Sequence, residues 1–292
     1  LPEAWARWVI PVSITVKVAH YGNRRYKRRG AWDQLSSRDL ALITGGSNGL
    51  GLAIMKQLIQ RGVKVINIDI EPMPQQLSDV GVISFQCDLS EEKEVLDVLD
   101  TIKSNYGTPT VIINNAAIRH CERFENIAIG KIQKIMQVNT LTPILIIKHF
   151  LRDKPKRLYV ANISSILGLV SPSNLSIYSL TKSSIISLHD TLTHEYLSNG
   201  NIRFLLVTPG QLNTRMFQNV KPPKAFFAPV LDTAQLSEEI VHKIQQGERG
   251  VLNGPFYTHF IPLLRMLPFS VIEFARWFSE MDVSVTEDGL DT

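Results

Sequence analysis

The chain has 292 residues, 44% of them hydrophobic, enough to bury a sizeable core, and an α/β unit of about 250 residues often folds as one domain. Its formal charge of +4 is unevenly placed: residues 1–38 carry eight Lys or Arg against Glu3 and Asp33, a balance of +6, which leaves −2 for the remainder. The globular part is therefore not basic, which argues against a nucleic-acid partner. Cys87 and Cys121 lack CxxC or metal-like spacing, and His189 and His194 are five apart, off a common helix face. These spacings argue against a metal site and for reduced thiols in a cytosol-facing protein.

The chain opens LPEAWARWVIPVSITVKVAHYGNRRYKRRG rather than on Met, so upstream residues are expected to have been removed or left out. The apolar run holds Trp5 and Trp8, is interrupted by Lys17, and falls short of the roughly 18–20 residues that span a bilayer. With Arg24, Arg25, Lys27, Arg28 and Arg29 behind it, it reads as a segment that lies on a membrane surface, or as the remnant of an anchor. The alternative is a solvated basic arm packed on the domain.

From residue 39, short β-branched runs alternate with segments of helical period. Strands are predicted at 40–44, 63–69, 82–87, 110–114, 157–164, 202–208 and 249–253, and helices at 49–61, 90–106, 128–151, 176–199 and 233–247. Most strands are apolar nearly throughout, as parallel strands covered on both faces must be. The expected fold is α/β, a doubly wound parallel sheet of about seven strands with helices on both faces. Residues 39–255 would form this domain, between an N-terminal segment 1–38 and a hydrophobic tail 256–292. That tail, FYTHFIPLLRMLPFSVIEFARWF and beyond, suits an additional core helix, a lid or a second membrane contact.

The first strand runs into TGGSNGLG, with Gly45, Gly49 and Gly51 just before a helix. A tight glycine turn there lets backbone N–H groups approach a pyrophosphate at the positive end of the helix, with Gly45, Ser47, Asn48, Gly49 and Leu50 the expected cofactor-binding residues. The next strand ends at Asp69, where a carboxylate can accept from adenosine ribose hydroxyls; Ile70 follows it, so no cation awaits a 2′-phosphate. Further on, NISSILGLVSPSNLSIYSLTK places Tyr178 and Lys182 four apart on one helical face, about 6 Å along the axis. An ammonium beside a phenol favours phenolate, which a general acid/base needs. Ser165 follows a buried-looking strand at the carboxyl edge, where such sheets place ligands.

TGGSNGLG, Asp88-Leu89, NNAA (114–117), Asn139, the Ser165–Tyr178–Lys182 set and PGQLNT (209–214) together resemble, in order and spacing, the short-chain dehydrogenase/reductase family, over about residues 39–255. The resemblance implies a Rossmann fold, with Tyr178 transferring the hydroxyl proton, Lys182 holding the nicotinamide ribose and lowering the Tyr178 pKa, Ser165 bonding the reacting oxygen and Asn139 positioning a relay water. It further implies adenine contact at Asp88 and Leu89, backbone contact to the adenosine ribose at Asn115, and carboxamide or pyrophosphate contact at Pro209, Gly210 and Thr214. Ser164 is the alternative serine, but the spacing to Tyr178 selects Ser165. Ala117 stands where the family mostly has Gly. The ends of the chain more loosely resemble the membrane-associated branch of retinol dehydrogenases and lipid-droplet-type 17β-hydroxysteroid dehydrogenases. The expectation is thus an NAD-dependent oxidoreductase of a lipophilic alcohol, a homodimer on the endoplasmic reticulum or lipid-droplet surface, with a cytosolic location as the alternative. An NADPH-dependent keto-lipid reductase is opposed by Asp69, and a silent dinucleotide-binding scaffold by the presence of Tyr178 and Lys182. Met216, Phe217, Phe226, Phe227, Phe256, Tyr257, Phe260, Ile261 and Leu263 are apolar material for the substrate cleft.

Overall fold

The computed structural model describes residues 2–217, 229–264 and 266–282. All seven predicted strands form within one residue of their expected spans: β1 (Leu40–Thr44), β2 (Lys64–Asp69), β3 (Ile83–Gln86), β4 (Val111–Asn114), β5 (Leu158–Ile163), β6 (Ile202–Pro209) and β7 (Gly250–Gly254). They build one sheet in the order β3-β2-β1-β4-β5-β6-β7, every pair parallel. The order reverses between β1 and β4, and the crevice beyond their carboxyl ends is where a doubly wound sheet binds ligands.

Ten α-helices accompany the strands among the described residues: α1 (Pro2–Lys27), α2 (Gly49–Gln60), α3 (Gln75–Ser78), α4 (Glu92–Tyr106), α5 (Ile129–Met136), α6 (Thr142–Leu151), α7 (Ser176–Glu195), α8 (Thr233–Gln245), α9 (Ile261–Leu264) and α10 (Phe269–Ser279). Ile54 of α2 and Ile240 of α8 pack with Ile43 and Ile113 on one face. Leu99 of α4 and Phe150 of α6 pack with Leu42 and Ile112 on the other. Because Ile112 and Ile113 enter opposite clusters, a one-residue slip of β4 would exchange the faces, and both layers oppose it. The helix expected over 128–151 is interrupted by a π turn, Gln137–Leu141, and π turns inside helices concentrate at functional positions.

Helix α7 carries a buried titratable group, His189. Burial pulls its pKa down to about 4, with His194 adding to the effect. The unfolded chain therefore binds a proton below about 6.5 that the folded one refuses until about 4, so stability is present above 6.5 and is lost as pH falls between them. Unfolding free energy is expected to drop by about 3 kcal/mol over that window. His189→Leu should flatten this part of the curve, as urea titrations across pH would show; an unchanged slope would assign the acid lability elsewhere.

The N-terminal segment joins the amino edge of the sheet. Arg28 donates to Glu248 through Nε and Nη2, both at 3.1 Å, and Arg24 lies 3.9 Å from the same carboxylate. Arg203, at the start of β6, is fully buried and donates to the carbonyls of Arg29, Gly30 and Ala31 at 3.1–3.2 Å, as well as to Gly200 and Gly247. Trp32 lies between Arg203 and Arg157, whose guanidinium carbons stand 4.5 and 4.4 Å from its ring. The basic cluster expected to face a membrane is therefore divided, with Arg28 committed to the domain. Ile14, Val18, Tyr21 and Tyr26 on α1 are exposed. Among the described residues no helix is long and apolar enough to cross a membrane.

At the other end, the tail does not form one core helix. Pro268 separates α9 from α10, consistent with the missing N–H of proline, and α10 buries none of its residues. Its inner side is clasped: Arg276 makes a two-pronged contact with Asp282 at 2.6 and 3.1 Å, and Ser173 donates to Asp282 through N and Oγ. Arg276 also reaches the Ser171 carbonyl at 3.1 Å. Phe269, Phe274 and Trp277 point outward and are largely exposed.

Candidate active site

The glycine turn is built by close approach. A Cβ on Gly51 would lie 2.1 Å from the Gly45 carbonyl oxygen, and Gly49 has φ +53, a conformation side chains disfavour. Across from Gly49 stands Thr214, its methyl 3.3 Å from where a Cβ would be. The turn after β1 and the loop after β6 thus line one cleft. Asn115, after β4, closes its floor by donating from Nδ2 to the carbonyls of Thr44 and Gly45 at 3.1 and 2.9 Å. The Pro209-Gly210 turn is held by the Gly210 N–H on the Gly254 carbonyl at 2.7 Å.

Asp69 sits at the end of β2, its carboxylate accepting from the Ser47 N–H at 2.8 Å and the Glu71 N–H at 3.1 Å. Glu71, which sequence reasoning passed over, accepts from the Asn48 side chain, while its carbonyl takes the Ser47 hydroxyl at 3.0 Å. Two carboxylates therefore frame the outer lip of the glycine turn. The signal was present as a second acid two residues past Asp69. Asp88 is engaged in its own turn: burial would raise its carboxyl, but two hydrogen bonds from Ser90 and the Lys134 ammonium at 3.2 Å hold it below the usual range. The Leu89 side chain is buried among the core residues around Ile112.

Ser165, Tyr178 and Lys182 come together at the carboxyl edge. The structure separates the two serines: Ser164 Oγ donates to the Lys182 carbonyl at 2.8 Å, whereas Ser165 hydrogen-bonds the Tyr178 hydroxyl and accepts the Leu167 N–H at 3.1 Å. Lys182 Nζ donates to the Ile163 carbonyl at 3.0 Å and stands 5.5 Å from the Tyr178 ring centroid. Burial pulls Lys182 down to about 8. Burial also pushes the Tyr178 hydroxyl well above the phenol range, opposed by the Ser165 hydrogen bond and the Arg119 charge. That direction is opposite to the lowering expected from Lys182, because removal of the ring from water disfavours phenolate more than the neighbours favour it.

Asn139 lies in the π turn. Its Oδ1 accepts the Ile118 N–H, its Nδ2 donates to the Ile118 carbonyl, both at 2.8 Å, and the same Nδ2 reaches Thr181 Oγ1 at 3.1 Å. One side chain thereby ties the loop after β4 to the turn of α7 that precedes Lys182. Ala117 packs against Tyr178 and is not among the non-glycine residues of positive φ, so the replacement of glycine causes no backbone strain there. In the substrate region Tyr257 packs on the Gly210 turn, its hydroxyl 3.0 Å from a Cβ placed there, while Phe260 and Leu263 are exposed. Phe226 and Phe227, and the side chains of Phe217 and Phe256, lie outside the described residues, as do those of Trp5 and Trp8.

The closely packed glycine turn, the facing Thr214 and the Asp69 carboxylate at the end of β2 fit a dinucleotide. Fold and site together define a dinucleotide-binding oxidoreductase. Residues 39–225 match the family model described as short chain dehydrogenase, and the chain belongs to the short-chain dehydrogenase/reductase family. It is 37% identical to the uncharacterized oxidoreductase TDA5 of Saccharomyces cerevisiae over 97% of this chain and 92% of that one. A second uncharacterized oxidoreductase of that yeast, YDL114W, is 30% identical over 85% of this chain and 84% of its own. Among solved structures, a 4-hydroxyisoleucine dehydrogenase complexed with NADH superposes with a TM-score of 0.66 at 21% identity, covering 75% of this chain and 98% of that one.

Proposed function

We propose that the protein is an NAD-dependent dehydrogenase of lipophilic alcohols, of the retinoid, steroid or fatty-alcohol class. The observation that carries this reading is the convergence of Ser165 and Lys182 on Tyr178, at the edge where Gly49 and Thr214 line the dinucleotide cleft. Bound in that cleft, a nicotinamide ring would supply the hydride chemistry. Tyr178 would take or return the hydroxyl proton, Ser165 would hold the reacting oxygen, and Lys182 would grip the nicotinamide ribose. The Asn139 side chain is committed to Ile118 and Thr181, so a relay water would be held by the main chain of the widened turn. Asp69 and Glu71 favour NAD over NADP, since a 2′-phosphate would meet both carboxylates.

The substrate class is supported by the exposed apolar side chains of Phe260, Leu263, Phe274 and Trp277, on a tail clasped through Asp282 and Ser173 to the loop between Ser165 and Tyr178. Only the hydroxyl would be gripped by polar groups, with the rest recognised by burial at roughly 25 cal/mol per Å². A panel of retinoids, steroids, fatty alcohols and short polyols, each run with NAD and NADP, tests this. Turnover that rises with apolar size supports it; a maximum kcat/KM for a short polyol rejects the substrate class and leaves the dehydrogenase standing.

The same reading places the protein on a membrane surface, at the endoplasmic reticulum or a lipid droplet, through α1. Deleting residues 1–23 spares the contacts of Arg28 and of residues 29–31 with the domain, and is expected to weaken flotation with anionic liposomes without lowering the melting temperature. Unchanged flotation would move the attachment to the tail. A homodimer is supported by the open apolar groove between α6 and α7, lined by Ile147, Leu151, Leu188, Leu192 and Tyr196, which a second copy would cover.

A further inference from the structure

Gly46, in the middle of the glycine turn, has no positive φ to hold it to glycine. Contact does so instead: a Cβ there would lie 2.5 Å from Asn67 Oδ1 and 2.8 Å from Met55 Sδ. Asn67 is fully buried in β2, on the strand face that alternation gives it in common with Val65 and Asp69. Val65 belongs to the apolar core that α2 covers, so an amide two residues further on is costly unless its polar atoms are matched. They are matched by the turn. Oδ1 accepts the Gly46 N–H at 2.9 Å, and Nδ2 donates to Ser47 Oγ at 3.2 Å and to Ser84 Oγ on β3 at 3.3 Å.

We propose that Asn67 is a positioning residue of the dinucleotide site: it ties the Gly46 peptide and the Ser47 hydroxyl to β2, and so sets where α2 presents its first N–H groups. The inference rests on the reading of this cleft as the dinucleotide site. Three consecutive residues of β2 take three consecutive N–H groups of the turn: the Ile68 carbonyl that of Gly45 at 2.9 Å, Asn67 that of Gly46, and Asp69 that of Ser47 at 2.8 Å. The Leu52 N–H bonds the Asn48 carbonyl at 3.1 Å and opens the ladder of α2. The N–H groups of Gly49, Leu50 and Gly51 are then the ones left for an anion at the start of that helix. Ile68 contributes only a main-chain carbonyl, which any residue supplies, and Asp69 would also face the ribose. Asn67 serves the turn alone. Its hold is passed on through Ser47, whose hydroxyl donates to the Glu71 carbonyl at 3.0 Å, so one buried amide fixes both the turn and its outer lip.

The test measures NADH dissociation constants by fluorescence for the full chain, for Asn67→Leu, Gly46→Ala and Asn67→Ala, and for Gly46→Ala combined with Asn67→Ala. Asn67→Leu fills the same space without either contact, and Gly46→Ala forces the turn off Oδ1 from the other side. Each single variant is expected to raise the constant about tenfold, the effect of a buried hydrogen bond lost with its partner left unsatisfied. In the combined variant the new methyl meets no Oδ1, so Gly46→Ala should add at most about twofold to the cost of Asn67→Ala. The phosphorus NMR resonances of bound NADH should move in Asn67→Leu, a signature that lowered stability alone would not produce. NADH affinity within about twofold of the wild type in Asn67→Leu, or in Gly46→Ala should Asn67→Leu not fold, overturns the proposal, as do fully additive costs. A wild type that binds neither NADH nor NADPH would instead refute the dinucleotide reading. Hydrogen exchange at the Gly46 amide would still decide the role of Asn67: it should quicken in Asn67→Leu, and unchanged exchange overturns the tie.

Discussion

Tyr178→Phe is expected to lower kcat by about 10³-fold, the usual worth of a positioned acid/base group, while the NADH dissociation constant changes by less than about twofold. The substitution removes one oxygen. The ring stays buried against Ala117, Cys121 and Leu175, so packing is kept, and Ser165 still caps its turn through the Leu167 N–H. Lys182→Met should behave differently, losing both turnover and cofactor affinity, because in the proposed function its ammonium would grip the ribose. Single-turnover rates and fluorescence titrations on the two variants separate these outcomes. Full turnover by the Phe variant would remove Tyr178 from the mechanism, and unchanged cofactor affinity in the Lys182 variant would remove the ribose contact.

A second large effect concerns the adenosine end. Exchanging Asp69→Ser together with Ile70→Arg is expected to move the NADH to NADPH affinity ratio by about 10²-fold, by replacing a carboxylate with a cation at the phosphate. That pair leaves Glu71 in place, with its carboxylate on the Asn48 side chain. Adding Glu71→Gln should contribute about another tenfold, on the order of 1 kcal/mol in a solvent-rich site. Dissociation constants for both nucleotides across the three proteins check the order. A double variant that matches the triple would show that Glu71 does not face the phosphate, and a wild type that binds NADPH more tightly than NADH would overturn the assignment of Asp69.

The strands were legible because parallel strands covered on both faces must be apolar along their length, as 111–113 and 204–207 are. The glycine turn was legible because its geometry excludes side chains at Gly49 and Gly51. Helical spacing put Tyr178 and Lys182 together, and the structure brings Ser165 to the same hydroxyl. What escaped the sequence depends on contacts between distant segments. The π turn at Asn139 coincides with that side chain's bonds to Ile118 and Thr181, and no local pattern in QVNTL reports them. Arg119 meets Met216 only after the sheet has formed. Of the three readings open for the tail, the additional core helix is the one that fails: Pro268 separates α9 from α10, and the apolar side chains of α10 turn outward. The basic cluster left open a membrane-facing segment or an arm packed on the domain, and only the fold shows that Glu248 takes Arg28 while Arg25 is exposed.

The grip of Arg203 on residues 29–31 involves only main-chain carbonyls, which every amino acid supplies. The joint is thus indifferent to side-chain identity on one partner and wholly dependent on it on the other. Substitutions at Ala31 can accumulate without loosening it, whereas Arg29 also donates from Nη2 to the Leu197 carbonyl at 3.2 Å. Gly30 is held to glycine by its φ of +87, and Arg203 by having to satisfy five carbonyls at once. A helix of different sequence could be grafted ahead of Arg24 and keep the same seat, about 20 Å along β6 from the carboxyl end of that strand. The sequence ahead of that seat is in this way free to diverge while the opposite edge of the sheet remains fixed.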